Sequence, residues 1–278
     1  MKKWGLSAII YLGIVIAGYA AYDSFFAEKE TAASHKEEHT AAKGTVEDQD
    51  SHNNESHAHP EGAQSKNEVN VQVMEADNQM YITLQDNEGN PVRDLEINHE
   101  KLLHLIVVDE HLENFYHLHP EEIEPGKFKV KTKLEEGVYK AFVDIKPENL
   151  AYQVEAKTFT VGNAAKSTHS HASLVVDKDL VKTIDGQKAS LSTTDLAVNQ
   201  PITLTFDVHG AKLTPYLGAM GHVVILDEEA KEYIHVHPSD DNAPVFETEF
   251  SHPGLYKIWA QFQKDGKILT FPYVIEVK

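Results

Sequence analysis

From Val69 onward the chain runs in short stretches whose apolar residues fall at strand spacing. Val69-Val71-Val73, Met80 to Leu84, Phe128 to Lys131, Gly137 to Val143 and Phe159 to Val161 are of this kind, and Leu103 to Val108 is a nearly continuous apolar run. An apolar residue at every second position places one side of a strand on a core. Turn clusters such as Asp86-Asn87-Glu88-Gly89-Asn90-Pro91 separate the runs roughly every ten residues. Six or seven short strands with this punctuation predict a β-sandwich of immunoglobulin-like or cupredoxin-like type.

The pattern then repeats. Pro201 to Asp207 stands where Tyr81 to Asp86 stood, and Gly254-Leu255-Tyr256-Lys257-Ile258-Trp259 matches Gly137-Val138-Tyr139-Lys140-Ala141-Phe142. The fold class expected is therefore all-β, with two tandem sandwiches over residues 68–162 and 173–278 joined by a small polar linker over 163–172. Tyr139 and Tyr256, each just after a glycine at a strand start, are expected to act as corner tyrosines.

The repeat is tightest around histidine. His104, His117 and His119 recur as His222, His235 and His237, each pair 118 residues apart. In both copies a lone histidine opens an apolar run, an acidic turn follows, and His-x-His-Pro closes the segment. Read as hairpins, the copies turn at Asp109 to Asn114 and at Asp227 to Glu232. Residues i and i+2 of a strand share a face, and so do directly opposed residues of an antiparallel pair. Symmetric pairing about the turn thus brings each lone histidine to its His-x-His partners, whereas a slip of one residue would send it to the opposite face. Three imidazoles so placed suit a first-row transition metal.

The copies differ in their surroundings. Met220 precedes His222 in Gly218-Ala219-Met220-Gly221-His222, where the first copy has Leu102. Thioether sulfur selects Cu(I), so the second copy reads as a copper site. The first has His99 and His111 in addition, with Glu121 and Glu122 nearby, which shifts it toward zinc or Cu(II). Against the metal stands a plain structural role, with the histidines only bonding backbone.

Ahead of the sandwiches, Lys2 and Lys3 precede an uncharged run from Trp4 to Tyr22. At about 1.5 Å per residue this run is close to the roughly 30 Å thickness of a bilayer core. Residues 1–27 therefore read as a single-pass anchor in the cell membrane with the bulk of the chain extracytoplasmic, or as a signal peptide cleaved after Gly18-Tyr19-Ala20, in which case the chain is secreted. Residues 28–67 are rich in Glu, Ala, Ser, Asn and His and predict a disordered linker, either a spacer or a loose metal-collecting tether. His169 and His171 fall in the second linker.

Composition narrows the functions. A net charge of −19 over 278 residues argues against nucleic acid as a partner. There is no cysteine, which excludes disulfides, thiolate sites and the blue-copper centre. No nucleophile motif or fixed acid–base pair accompanies the histidines, so no enzyme is expected.

The block formed by Gly218 to His222, His235 to Pro238 and Pro253 to Phe262 resembles the last domain of a family of exported bacterial proteins. Tyr81 to Leu84 with Asn87 to Val92 looks like the YtkA-like domain family. The resemblance implies an envelope sandwich associated with heavy metals, copper especially, with Met220, His222, His235 and His237 as the matching positions. The first copy departs from that pattern at Leu102. The expectation is a non-enzymatic extracytoplasmic metal-binding module using Met220, His222, His235, His237, His104, His117 and His119. Copper is the cofactor expected, zinc the alternative. The competing expectation is a metal-free tandem sandwich serving adhesion or assembly.

Overall fold

A computed structural model of the protein describes residues 67–163, 174–240 and 243–278. Among them no helix is long and apolar enough to cross a membrane. The segment Trp4–Tyr22, the linker up to residue 66, and His169 and His171 lie outside the described residues. Asn67, grouped with the linker by composition, belongs to the folded part: its side-chain amide donates to the Gln153 carbonyl.

The first domain contains β1 (Val69–Ala76), β2 (Gln79–Asp86), β3 (Leu95–Glu96), β4 (His104–Asp109), β5 (Phe115–Leu118), β6 (Glu121–Glu124), β7 (Lys127–Lys131), β8 (Gly137–Asp144), β9 (Lys146–Pro147) and β10 (Lys157–Val161). One sheet runs β1-β2-β7-β6 and the other β10-β8-β4-β5, with β3-β9 as a small ribbon. The second domain contains β11 (Val181–Ile184), β12 (Gln187–Thr193), β13 (Ile202–Val208), β14 (Leu213–Thr214), β15 (His222–Asp227), β16 (Tyr233–Val236), β17 (Pro238–Asp240), β18 (Ala243–Thr248), β19 (Gly254–Lys264) and β20 (Lys267–Val277). Its sheets run β11-β12-β13-β18-β17 and β14-β19-β15-β16, with β20 also on β19. All pairings between these strands are antiparallel, so the chain is two tandem all-β sandwich domains.

The acidic turns and the tyrosines behave as their chemistry suggests. Asp109 Oδ1 accepts from the backbone N–H of Glu113 and Asn114, and Asp227 Oδ1 accepts from Lys231 and Glu232 in the same way. Tyr139 and Tyr256 donate their hydroxyls to carbonyls four residues back, at Glu135 and His252.

The continuous apolar runs have a separate cause. Leu105 and Val107 of β4 point into the core of their own domain, while Ile106 and Val108 point the other way. In β15, Val223 and Ile225 face the second core, and Val224 and Leu226 face outward from it. The outward faces meet. Ile106, Val108, Leu112 and Phe142 pack with Val224, Leu226, Ala230 and Trp259 in one interdomain cluster. A strand buried on both faces has no polar side, so alternation disappears.

The interface carries the repeat's symmetry. Phe115 of the first domain stacks on Trp259 of the second at 4.8 Å, and Tyr233 of the second stacks on Phe142 of the first at 5.1 Å. Lys140 donates to the carbonyl of Glu229 across the same boundary. Phe142 is fully buried. Replacing it with Ala removes one of the two stacks, and the expected loss is about 3–5 kcal/mol. Denaturant unfolding of the full chain measures it, and a change below about 1 kcal/mol would contradict this packing.

Candidate metal centre

β4 starts at His104 and β15 at His222, and both imidazoles are fully buried. The hairpins pair Ile106 with His117 and Val224 with His235, which is the symmetric register. His104, His117 and His119 consequently cluster at ring separations of 5.3, 5.0 and 4.7 Å. His222, His235 and His237 do likewise, at 6.0, 4.8 and 4.5 Å.

By strand parity these histidines occupy the same face as Ile106 and Val224, which is the interdomain face. The two triplets therefore meet. His235 lies 5.2 Å from His104 and 5.3 Å from His117, ring to ring. His222 lies 5.7 Å from His117 and 6.5 Å from His104. Ring nitrogens of His104, His117 and His235 fall within 4.8 Å of one another, as do those of His222, His235 and His237.

The outer nitrogens of four of these rings are tied. His104 Nε2–H donates to the Asn98 carbonyl at 3.0 Å, and His222 Nε2–H donates to the Tyr216 carbonyl at 2.8 Å. The other two ties cross between domains. His117 Nδ1–H donates to Gln261 Oε1 at 2.7 Å, and His235 Nδ1–H donates to Asp144 Oδ2 at 2.9 Å. Gln261 Nε2 in turn reaches Thr270 Oγ1 at 3.0 Å. The Tyr233 hydroxyl donates to Asp144 at 3.1 Å.

A neutral imidazole has one N–H and one lone pair. With the N–H used outward, the inner nitrogens are His104 Nδ1, His117 Nε2, His222 Nδ1 and His235 Nε2, each offering a lone pair. His104 Nδ1 and His117 Nε2 stand 3.0 Å apart, and His119 Nε2 is 3.3 Å from the same His117 nitrogen. Between two acceptors that distance is unfavourable unless a cation lies between them. It is close to the roughly 3.3 Å separating two ligands held tetrahedrally at about 2.0–2.1 Å from one ion. Across the cluster, His222 Nδ1, His235 Nε2 and His237 Nε2 are buried with no hydrogen-bond partner. Buried polar atoms without partners are rare enough to need a reason, and a metal supplies one.

The turns ahead of β4 and β15 provide the carbonyl anchors. Asn98 exchanges two backbone hydrogen bonds with Lys101, and Tyr216 does so with Ala219. The central residues His99 and Glu100, and Leu217 and Gly218, all have positive φ. This is the tight hairpin geometry that favours glycine, and Gly218 meets the requirement without strain. Gly221 serves differently: a Cβ there would come within 2.6 Å of Phe262.

The remaining candidates are distributed unevenly. Met220 is half-buried just before β15. His99, assigned by sequence to the first copy, instead stacks on His237 of the second domain at 3.1 Å, because the turn carries it across the interface. His111 is exposed beside Glu110. Glu121 and Glu122 are exposed on β6, which belongs to the other sheet of the first domain. The anchors Asp144 and Gln261 escaped sequence reading. They occupy equivalent places, opposite His104 on β8 and opposite His222 on β19. The available signal was a polar residue at the eighth position of each strand that opens Gly-x-Tyr-Lys.

A family model described as Domain of unknown function (DUF8832) matches residues 61–165 and 182–278. The chain belongs to this family. The two matched segments correspond to the two sandwich domains, so both copies of the histidine hairpin lie inside DUF8832 segments. No curated protein matches the chain. Among solved structures, the chicken CNTN1 FN1-FN3 domains share 12% identity, with 76% of this chain and 66% of that one covered and a TM-score of 0.22. A biofilm associated protein, BSP domain, shares 14% identity, with 76% and 30% covered and a TM-score of 0.21. The DUF8832 chain thus spans less than two thirds of either, and overlaps this loose say nothing of its activity.

Burial opposes protonation of five histidines of the DUF8832 cluster. Burial, the largest cause, lowers His104 to about 4 and His222 to about 3. Burial also leads in lowering His119 to about 3, and it pushes His117 and His237 below the ordinary histidine value. For Asp144, burial acts upward, but the hydrogen bond from His235, first among the opposing causes, helps hold the carboxyl below its ordinary range. In the folded chain His104, His117, His119, His222 and His237 thus stay neutral where their unfolded counterparts, with a value near 6.5, take up protons. Stability is fully present above pH 6.5 and declines as pH falls toward 4, by about 1.4 kcal/mol per pH unit for each of His104 and His222. Urea midpoints of the metal-free chain are expected to drop between pH 7.5 and pH 5. An unchanged midpoint would mean that the histidines are accessible to protons in the folded state.

Proposed function

We propose that this protein is a non-enzymatic metal-binding module of the cell envelope, holding copper, with zinc as the alternative, among the histidines between its two domains. Its role is capture, transfer or homeostasis of that ion. The observation that carries this is the set of inward lone pairs, each produced by an outward N–H bonded to a fixed acceptor. Neutral imidazoles with oriented outer partners are the usual form of metal-binding histidine. Imidazole suits copper and zinc alike. Met220, close in sequence to His222, is the candidate for a soft ligand and favours Cu(I). The uncharged run after Lys2 and Lys3 supports placement at a membrane, and the acidic charge supports attraction of cations.

The competing reading is a metal-free tandem sandwich for adhesion or assembly. The two make opposite predictions for calorimetric titration of the full chain with Cu(I), Cu(II) and Zn(II) at pH 7. The metal reading expects Kd well below about 1 μM, lost when His222, His235 and His237 are replaced by Ala. Histidines of the linker are present in both proteins and cancel in the comparison. Near-UV circular dichroism of the variant establishes that it is folded. Equal, weak binding by both proteins would overturn the metal reading and leave adhesion or assembly.

A further inference from the structure

We infer that the two histidine triplets form one metal site and not two: a single ion held by His104 and His117 from the first domain together with His222 and His235 from the second. This rests on the metal-binding reading above and adds to it the number of ions and the identity of the ligands.

His235 joins the two triplets. It belongs to both groups of converging nitrogens, His104 with His117 and His222 with His237. Its Nδ1–H is committed to Asp144, leaving Nε2 as its one donor. One lone pair serves one ion. Two ions, one in each group, cannot both have it, and a first-domain ion without it would have to take His119, whose Nε2 is 3.3 Å from that of His117.

The four ligands are selected by their anchors. His104 and His222 are tied to equivalent turn carbonyls, His117 and His235 to equivalent residues of the opposite domain. The quartet thus follows the pseudo-twofold relation between the domains, with the ion near its axis. Four imidazoles on a tetrahedral ion at about 2.0–2.1 Å have ring centres roughly 5.2 Å apart. The three separations among His104, His117 and His235 are 5.3, 5.2 and 5.3 Å. Those from His222 are 6.5, 5.7 and 6.0 Å, so His222 is the ring that moves inward on loading. His119 and His237 flank the four.

The test is the stoichiometry of the full chain with Zn(II) alone, compared with His104→Ala and His222→Ala separately, each checked for folding by near-UV circular dichroism. One tight equivalent is expected, above the weak equivalents of the linker. Either replacement, in either domain, is expected to weaken that same equivalent by more than the about 10–100-fold seen when an outer partner is lost. Two tight equivalents, with each replacement removing only one, would overturn the single site while leaving metal binding intact. No tight equivalent would overturn both. X-ray absorption of the unaltered chain at one equivalent needs no variant: four nitrogen ligands of imidazole type are expected, and fewer than four imidazoles, or any sulfur, would refute this ligand set.

Discussion

An imidazole carries two nitrogens, and the fate of the outer one determines what the inner one can do. In this protein four outer N–H groups end on fixed oxygens: two turn carbonyls, one carboxylate and one amide. Each bond selects a tautomer and an orientation together. Without those oxygens the rings could donate to one another, as buried histidines in an ordinary core do. With them, the inner nitrogens are left as acceptors facing acceptors. The arrangement is unfavourable by itself and favourable around a cation, and the apolar packing of the interface is what holds it in place.

That packing also explains what the sequence could convey. The sandwich class, the repeat, the acidic turns and the corner tyrosines depend on short-range patterns and were readable. The convergence of each lone histidine on its His-x-His was readable too, because strand parity and a symmetric turn suffice. What was not readable is where the shared face points. Leu103 to Val108 showed a strand without a polar side, but a run of this sort does not say what covers each side. The cover turned out to be the other copy of the same hairpin. Asp144 and Gln261 act on histidines more than ninety residues away in sequence, so no local spacing marks them.

The same distance accounts for His99. Its position five residues before His104 suggested membership of the first triplet. The tight turn that presents the Asn98 carbonyl to His104 leaves residue 99 projecting toward the second domain, where it stacks on His237. At the equivalent position the second copy has Leu217. The two halves therefore differ in what they send across the boundary, although the backbone turn is the same.

The crossed anchors have a bearing on how such a centre can be tuned. A pair of identical domains assembled about a true twofold axis must present the same residue at both symmetry-related positions. Any change that improves one side is then imposed on the other. With the copies on one polypeptide that restriction disappears. One anchor here is a carboxylate and its mate an uncharged amide, so the centre has a single formal negative charge beside it instead of two or none. Covalent duplication thus provides an odd charge count at a pseudo-symmetric site, an electrostatic setting that a homodimer of either half cannot reach.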